Sequence, residues 1–118
     1  MAKINVPVEF LSDYAEYIKT DYVKWWGAKA SEKHVQEMIA DFTVTFEPGS
    51  SYIKVVKANA DGSQASVHSF IVNKDTKKYL AGTILKAASF KAPATNFGRA
   101  HLYFRDSWEG RVTWTGAN

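Results

Sequence analysis

Apolar and polar positions in the first third of the chain follow a helical spacing. In residues 7–26 the apolar side chains recur every three or four positions, which places them on one face of a helix. The predicted buried positions are Leu11, Tyr14, Ala15, Ile18, Tyr22 and Trp25. Asn5 or Ser12 is expected to cap the start of this helix, where Pro7 is tolerated. Gly27 is expected to end it.

A second, shorter helix is predicted after Ser31, a good N-cap residue, with Glu32 near the positive end of the helix dipole. Its predicted buried positions are Val35, Met38, Ile39 and Phe42. The spacing then changes to strict alternation, which is typical of strands. The predicted strands are a hairpin over 42–58, one strand over 67–73, one over 83–87, and a last pair over 100–104 and 111–115.

This order predicts an α+β fold with two N-terminal helices followed by a mostly antiparallel sheet of five or six strands. We expect a single domain over residues 1–118, with a helical part at 7–40 and a β-rich part at 42–116. The run of apolar residues at 70–72 indicates a strand that is buried on both faces.

Composition excludes several kinds of chemistry. The absence of cysteine rules out thiol nucleophiles, disulfides and cysteine-ligated metals. His34, His68 and His101 have no partner at a metal-ligand spacing, and no phosphate-binding glycine motif or nucleophile elbow occurs. We therefore expect no metal, no cofactor and binding rather than catalysis. Residues 1–9 predict no signal peptide, and no apolar run predicts a membrane span.

Charge is divided unevenly along the chain. Residues 1–47 hold five basic and eight acidic residues, a balance of −3, and residues 48–118 hold ten basic and four acidic residues, a balance of +6. An anionic partner for the second part would explain this division. Helices that tolerate acids and strands that carry exposed lysines would explain it equally well.

Basic and aromatic residues interleave in the second part, as expected where cations track phosphates and aromatic rings stack on bases. The candidate nucleic-acid-binding residues are Lys86, Phe90, Lys91, Phe97, Arg99, Arg105, Trp108 and Arg111. Alternating strands with aromatic residues inside and basic residues outside would produce the same interleaving.

The acidic helical part offers a second candidate surface. Adjacent residues on a helix point about 100° apart, so one of Trp25 and Trp26 can lie outside the buried face, although both can also pack. An exposed tryptophan marks a protein contact. The candidate protein-contact residues are Tyr17, Tyr22, Trp25 and Trp26.

Three segments resemble small uncharacterised proteins of tailed bacteriophages over about residues 51–116. They are SYIKVVKANADGSQASVHSFIV (51–72), GTILKAASFKAPATNFGRA (82–100) and RVTWTG (111–116). In those relatives the glycine at position 82 is usually followed by Asp and position 90 tends to be Trp, whereas this chain has Thr83 and Phe90. The resemblance carries no activity. It implies a viral origin and a host-cytoplasm setting.

Two functions follow as hypotheses. The first is a phage accessory protein that binds nucleic acid through its basic, aromatic-rich second part. The alternative is an inhibitor or adaptor that binds a host or phage protein through its acidic helical part. An enzymatic function is the least favoured hypothesis, because the irregular segment 89–99 is the one plausible place for a pocket. The sequence leaves a homodimer open.

Overall fold

The helices come first and an antiparallel sheet follows. The computed structural model describes residues 2–117; Met1 and Asn118, the ends of the predicted domain, lie outside the described residues. The helices are α1 (Val8–Trp26), α2 (Lys33–Asp41) and α3 (Arg105–Trp108), with a 3₁₀ helix over Gly27–Ser31. The strands, in spatial order and all antiparallel, are β1 (Phe42–Pro48), β2 (Tyr52–Asn59), β3 (Ser66–Val72), β4 (Thr83–Leu85) and β5 (Ala100–His101). The predicted α+β class is confirmed.

The helix ends agree with the sequence only in part. Gly27, with φ of +59°, ends α1 as predicted. The predicted N-caps are wrong, because Pro7 occupies that position in α1 and Glu32 occupies it in α2. The side chains of Asn5 and Ser31 bond elsewhere: the Asn5 Nδ2 donates to the Asn73 carbonyl over 3.0 Å, and the Ser31 hydroxyl donates to the Ala28 carbonyl over 3.2 Å. The remaining candidate, Ser12, lies within α1.

The apolar face of α1 is buried through Leu11, Tyr14, Ile18 and Tyr22, as predicted. Two predicted core positions are wrong, since the Trp25 side chain is 60% exposed and Met38 is 47% exposed. Periodicity assigns a residue to a face of its helix, but it does not show where along the helix the covering layer stops.

The sheet is covered on both faces. One face packs against α1 and the end of the chain; its buried residues are Val44, Ile53, Val55, Ile71 and Ile84 from the strands, with Leu11, Tyr14, Ile18, Trp108 and Val112. The other face holds a smaller cluster of Phe70, Val72 and Leu85. Ala87, at the start of the β4–β5 connection, packs against this smaller cluster. The prediction that residues 70–72 are buried on both faces is therefore confirmed.

The predicted last strand pair is wrong. Only Ala100–His101 pairs with β4, and residues 111–115 contribute a single isolated bridge between Thr113 and Gly116. The buried Trp108 explains the difference. Its indole packs edge-on against Tyr14 and Tyr17, with ring centroids 5.4 and 5.1 Å apart, and so draws the chain into the core.

A β-bulge in β3 brings two polar side chains into the core. Val55 pairs with Ser69 but Val56 pairs with Val67, so His68 is the extra residue of the bulge. Both His68 and Ser69 are buried. Bulges often redirect a side chain, and this one places an imidazole beneath the end of the chain.

His68 is the centre of a buried hydrogen-bonded chain. Its Nε2 lies 2.7 Å from the Thr113 carbonyl oxygen, which can only accept, so Nε2 carries the proton. Its Nδ1 then accepts from the Ser69 hydroxyl at 2.8 Å, and the Ser69 oxygen accepts from the Tyr14 hydroxyl at 2.9 Å. Burial is the main cause that lowers the pKa of His68 to about 4, although the bond to the Thr113 carbonyl opposes it.

Gly82→Ala should destabilise the protein more than Gly62→Ala. Both glycines have positive φ, +101° and +86°, which costs an alanine about 1 kcal/mol. A Cβ at Gly82 would also lie 2.7 Å from the His101 Cε1, whereas one at Gly62 would meet no described atom within 4 Å. We expect a total loss of about 3 kcal/mol for Gly82→Ala, measured by urea unfolding. Equal losses for the two variants would contradict the contact with His101.

Acid should destabilise the protein through His68. Its folded pKa of about 4 lies below the ordinary 6.5, so the unfolded chain binds the proton more readily. The free energy of unfolding is fully retained above pH 6.5 and falls by about 3 kcal/mol as the pH drops to 4, at about 1.4 kcal/mol per pKa unit. Urea unfolding across this range should show a shallower loss in His68→Gln.

Tyr14→Phe is the matched control for this measurement. It removes one hydroxyl from the buried hydrogen-bonded chain and should lower the free energy of unfolding by about 1 kcal/mol at every pH. The free energy of unfolding should then change with pH as it does in the wild type. An acid-induced loss in His68→Gln as large as that of the wild type would show that other groups are responsible.

Candidate functional site

An aromatic cleft of about 360 Å³ lies where the end of α1 meets α2, the start of β1 and the end of the chain. The side chains that define this aromatic cleft are Tyr22, Trp25, Trp26, Met38, Phe42 and Trp114. Its remaining wall comes from the end of β2, the turn after it and the start of β3, through Lys57, Ala58, Asn59, Gln64 and Ser66. The cleft therefore joins segments that are up to 92 positions apart in the sequence, from Tyr22 to Trp114.

Local structure explains how the helical residues reach the cleft. Because α1 ends at Gly27, Trp25 and Trp26 stand in its last turn and point in different directions. Trp26 is half-buried and Trp25 is exposed. The 3₁₀ helix reverses the chain into α2, which brings Met38 to the same place, and Phe42 begins β1 directly after α2.

Two charged side chains hold Trp114 in position. The Asp21 carboxylate accepts a hydrogen bond from the Trp114 backbone N–H at 2.8 Å. The Lys57 Nζ donates to the Trp114 carbonyl at 3.2 Å and lies 4.7 Å from the centroid of its ring. Partial burial lowers the pKa of Lys57. The backbone of Trp114 is therefore held at both its N–H and its carbonyl, and Lys57 also lies over its ring.

The rings pack as a continuous wall around Tyr22. The Tyr22 ring stacks on Phe42 at a centroid distance of 4.2 Å and meets Trp114 edge-on at 4.9 Å. Trp114 in turn lies 5.2 Å from Trp25. Among the large apolar side chains of the cleft, Trp25 and Met38 are exposed and the others are buried or partly buried. Single exposed apolar residues are ordinary, but two that line one cleft indicate a contact surface.

The polar groups of the cleft are few. Within residues 2–117 the Trp26 Nε1 is buried without a hydrogen-bond partner. An unpaired buried donor costs about 1–3 kcal/mol. Lys57 is the charged residue among the described lining side chains, and its ammonium is already bonded to the Trp114 and Thr115 carbonyls.

A shallow acidic groove of about 660 Å³ continues the cleft along α2. Its lining residues are His34, Glu37, Met38, Ala40 and Asp41, so Met38 belongs to both surfaces. One Asp41 oxygen accepts the Ala60 N–H at 2.9 Å. A ligand that leaves the cleft over Met38 would meet two carboxylates.

The predicted protein-contact residues are partly brought together. Tyr22, Trp25 and Trp26 line the cleft. Tyr17 does not, because its hydroxyl donates to the Val112 carbonyl at 2.7 Å and accepts the Gly110 N–H at 2.8 Å. Sequence reasoning missed Met38, Phe42 and Trp114 as lining residues; their only signal is that large apolar side chains are unusually frequent in this chain.

Burial excludes one predicted nucleic-acid-binding residue, Trp108, and an ion pair disfavours another, Arg105. Trp108 is only 2% exposed, so it cannot stack on a base. Arg105 forms an ion pair with Glu109, which raises the pKa of the guanidinium, and Asp13 and Glu16 lie close enough to act in the same direction. A phosphate would have to compete with these carboxylates. The segment between the two predicted last strands contains the short helix α3, in which Trp108 is buried.

Five other predicted residues lie on the β4–β5 connection, residues 86–99, which we call the basic loop. They are Lys86, Phe90, Lys91, Phe97 and Arg99, while the exposed Arg111 lies after α3. Phe90 is 51% exposed and Phe97 is 57% exposed. The Lys54 Nζ lies 4.3 Å from the Phe90 ring centroid, and the Arg99 Cζ lies 3.7 Å from that of Phe97.

The basic loop also lines two shallow depressions. One, of about 340 Å³, lies between its first residues and the start of β3; its lining residues are Ala65, Ser66, Val67, Ala87, Ala88, Ser89 and Phe90. It contains no acid, base or nucleophile beyond two serines. The other, of about 480 Å³, includes Tyr52, Lys54, Phe70 and Lys91.

Residues 2–117 contain neither a metal-binding cluster nor a membrane-spanning helix. No group of three or more His, Asp or Glu side chains among residues 2–117 is arranged to hold a metal ion. None of the helices in that range combines the length and the apolar character that a membrane crossing requires.

Comparison with known proteins adds the family but no activity. Neither the curated proteins nor the solved structures include a match to this chain. One family matches residues 4–117, which is nearly the whole chain and includes both the aromatic cleft and the basic loop. The chain belongs to this family of unknown function, DUF7717.

Proposed function

We propose that the protein is a binding protein that holds a segment of a partner protein in the aromatic cleft. The observation that carries this proposal is the contiguous wall of aromatic side chains, of which Trp25 is exposed. Tryptophan and tyrosine dominate the binding energy of protein interfaces, because their large rings bury much area and lose little rotamer entropy.

Preorganisation supports the same function. Ring packing around Tyr22, together with Asp21 and Lys57 at Trp114, holds the cleft in one arrangement. A partner therefore loses less free energy to ordering of this surface than it would at a mobile one. In the setting that the phage resemblance implies, the partner is a host or phage protein met in the host cytoplasm. The acidic balance of residues 1–47 favours a basic partner.

Trp25→Ala should weaken partner binding strongly with little loss of stability, because this side chain is 60% exposed. A displayed library of random peptides, selected on the wild type, should yield sequences that bind Trp25→Ala at least about thirtyfold more weakly, the loss expected of a hot-spot residue. Dissociation constants from surface plasmon resonance would measure it.

Phe90→Ala is the matched control, since it removes a comparably exposed ring on the basic loop. The selected peptides should bind this variant and the wild type equally. The proposal would be overturned if the library yields no binder, or if its binders have the same affinity for Trp25→Ala as for the wild type.

Nucleic-acid binding by the basic loop is the second candidate. The observation in its favour is that Phe90 and Phe97 are both exposed and each lies beside a cation, Lys54 or Arg99. Bases stack on exposed rings while neighbouring cations neutralise phosphates. Lys54 and Lys91 line the same depression, so both can reach one strand.

The double variant Lys54→Ala, Lys91→Ala should weaken this binding, because it removes two positive charges that contact phosphates. Fluorescence anisotropy with labelled single-stranded DNA, duplex DNA and RNA at several salt concentrations would measure it. For a single strand, the slope of log affinity against log salt should become shallower by about 1.4, because each lost phosphate contact contributes about 0.7. Arg105→Ala, which removes a guanidinium already paired with Glu109, should leave the slope unchanged. An affinity that does not change with salt concentration, or an unchanged salt slope in the double variant, would contradict this candidate.

A further inference from the structure

We propose that the segment held in the aromatic cleft is a proline-rich, extended segment in the polyproline II conformation, followed by basic residues that lie in the acidic groove along α2. This inference rests on the proposed function and specifies the chemistry of the ligand.

The walls of the cleft select an uncharged apolar group. Trp25 meets Trp26 at an interplanar angle of 71° and Trp114 at 56°, so the rings present faces and edges that enclose a slot. The ammonium of Lys57 donates to the Trp114 and Thr115 carbonyls, and the other lining side chains are uncharged. Proline rings and aliphatic side chains suit grooves that are lined in this way.

The aromatic lining of the cleft favours an extended ligand over a helical one. Aromatic-lined grooves dock polyproline II segments, which make no internal hydrogen bonds and keep their backbone carbonyls free. A helix uses its backbone carbonyls internally. Among the lining residues, Gln64 carries a side-chain amide that can donate to such a free carbonyl.

The small size of the cleft favours a ligand that is already ordered. A cleft of about 360 Å³ lies near the lower end of the range for ligand sites, roughly 300–1,000 Å³. The binding free energy that it can supply is correspondingly small, so a flexible peptide would lose much of it to ordering. A polyproline II segment is stiff before it binds and avoids most of this cost.

The acidic groove determines which residues of the ligand should follow its prolines. It shares Met38 with the cleft, so a chain that leaves the cleft across this side chain arrives between Glu37 and Asp41. Arginine or lysine at this point would be attracted by both carboxylates, and acidic residues would be repelled.

Three labelled peptides of equal length would test the inference by fluorescence anisotropy. The first alternates proline and leucine and ends in two arginines. The second replaces every proline with glycine, and the third ends in two glutamates. We expect the first to bind about tenfold more tightly than the second, because each glycine adds freedom to the unbound peptide. We expect it to bind about fivefold more tightly than the third at low salt, with Trp25→Ala binding none of them.

The double variant Glu37→Gln, Asp41→Asn tests the acidic groove separately. It should remove the preference for arginine over glutamate and keep the preference for proline over glycine. Equal binding of the proline and glycine peptides, or an arginine preference that survives in this variant, would overturn the inference. If none of the three peptides binds while library-selected peptides still require Trp25, the inference fails and the proposed function stands. If no peptide of any kind requires Trp25, both fail.

Discussion

The attachment of the chain end to α1 and the sheet is the constraint on which the rest of the structure depends. The His68 imidazole donates to the Thr113 carbonyl, the Tyr17 hydroxyl donates to the Val112 carbonyl, and Asp21 accepts the Trp114 N–H. These bonds join α1, β3 and the last residues into one unit. Because all three bonds are partly buried, water cannot easily replace them.

The aromatic cleft is a consequence of this attachment. Without it Trp114 would not reach Tyr22 and Trp25, and the wall would lack one side. The same arrangement explains why a β-bulge is tolerated in the middle of β3. The bulge costs the sheet part of its regular pairing, but it turns His68 toward the chain end that it must hold.

The protein presents two surfaces of different character. The aromatic cleft and its acidic groove gather large rings around α1 and α2, while the basic loop carries exposed phenylalanines beside cations near the other face of the sheet. The first is a preformed cavity, and the second consists of side chains on an irregular connection. A cavity with fixed walls is the stronger indication of binding, because its shape selects a ligand as well as attracting one.

The amino-acid sequence by itself determined the class of fold, α1 with its Gly27 end, the hairpin of β1 and β2, and the doubly buried β3. Each of these depends on local periodicity or on a single residue with special backbone freedom. Only the tertiary structure decided that Trp108 is core, that Trp25 is exposed and that Trp114 joins it from the far end of the chain. The physical reason is that burial depends on which distant segment covers a side chain. Those segments are brought together by His68, Asp21 and Lys57. The sequence around these three residues does not indicate which distant groups they bond to.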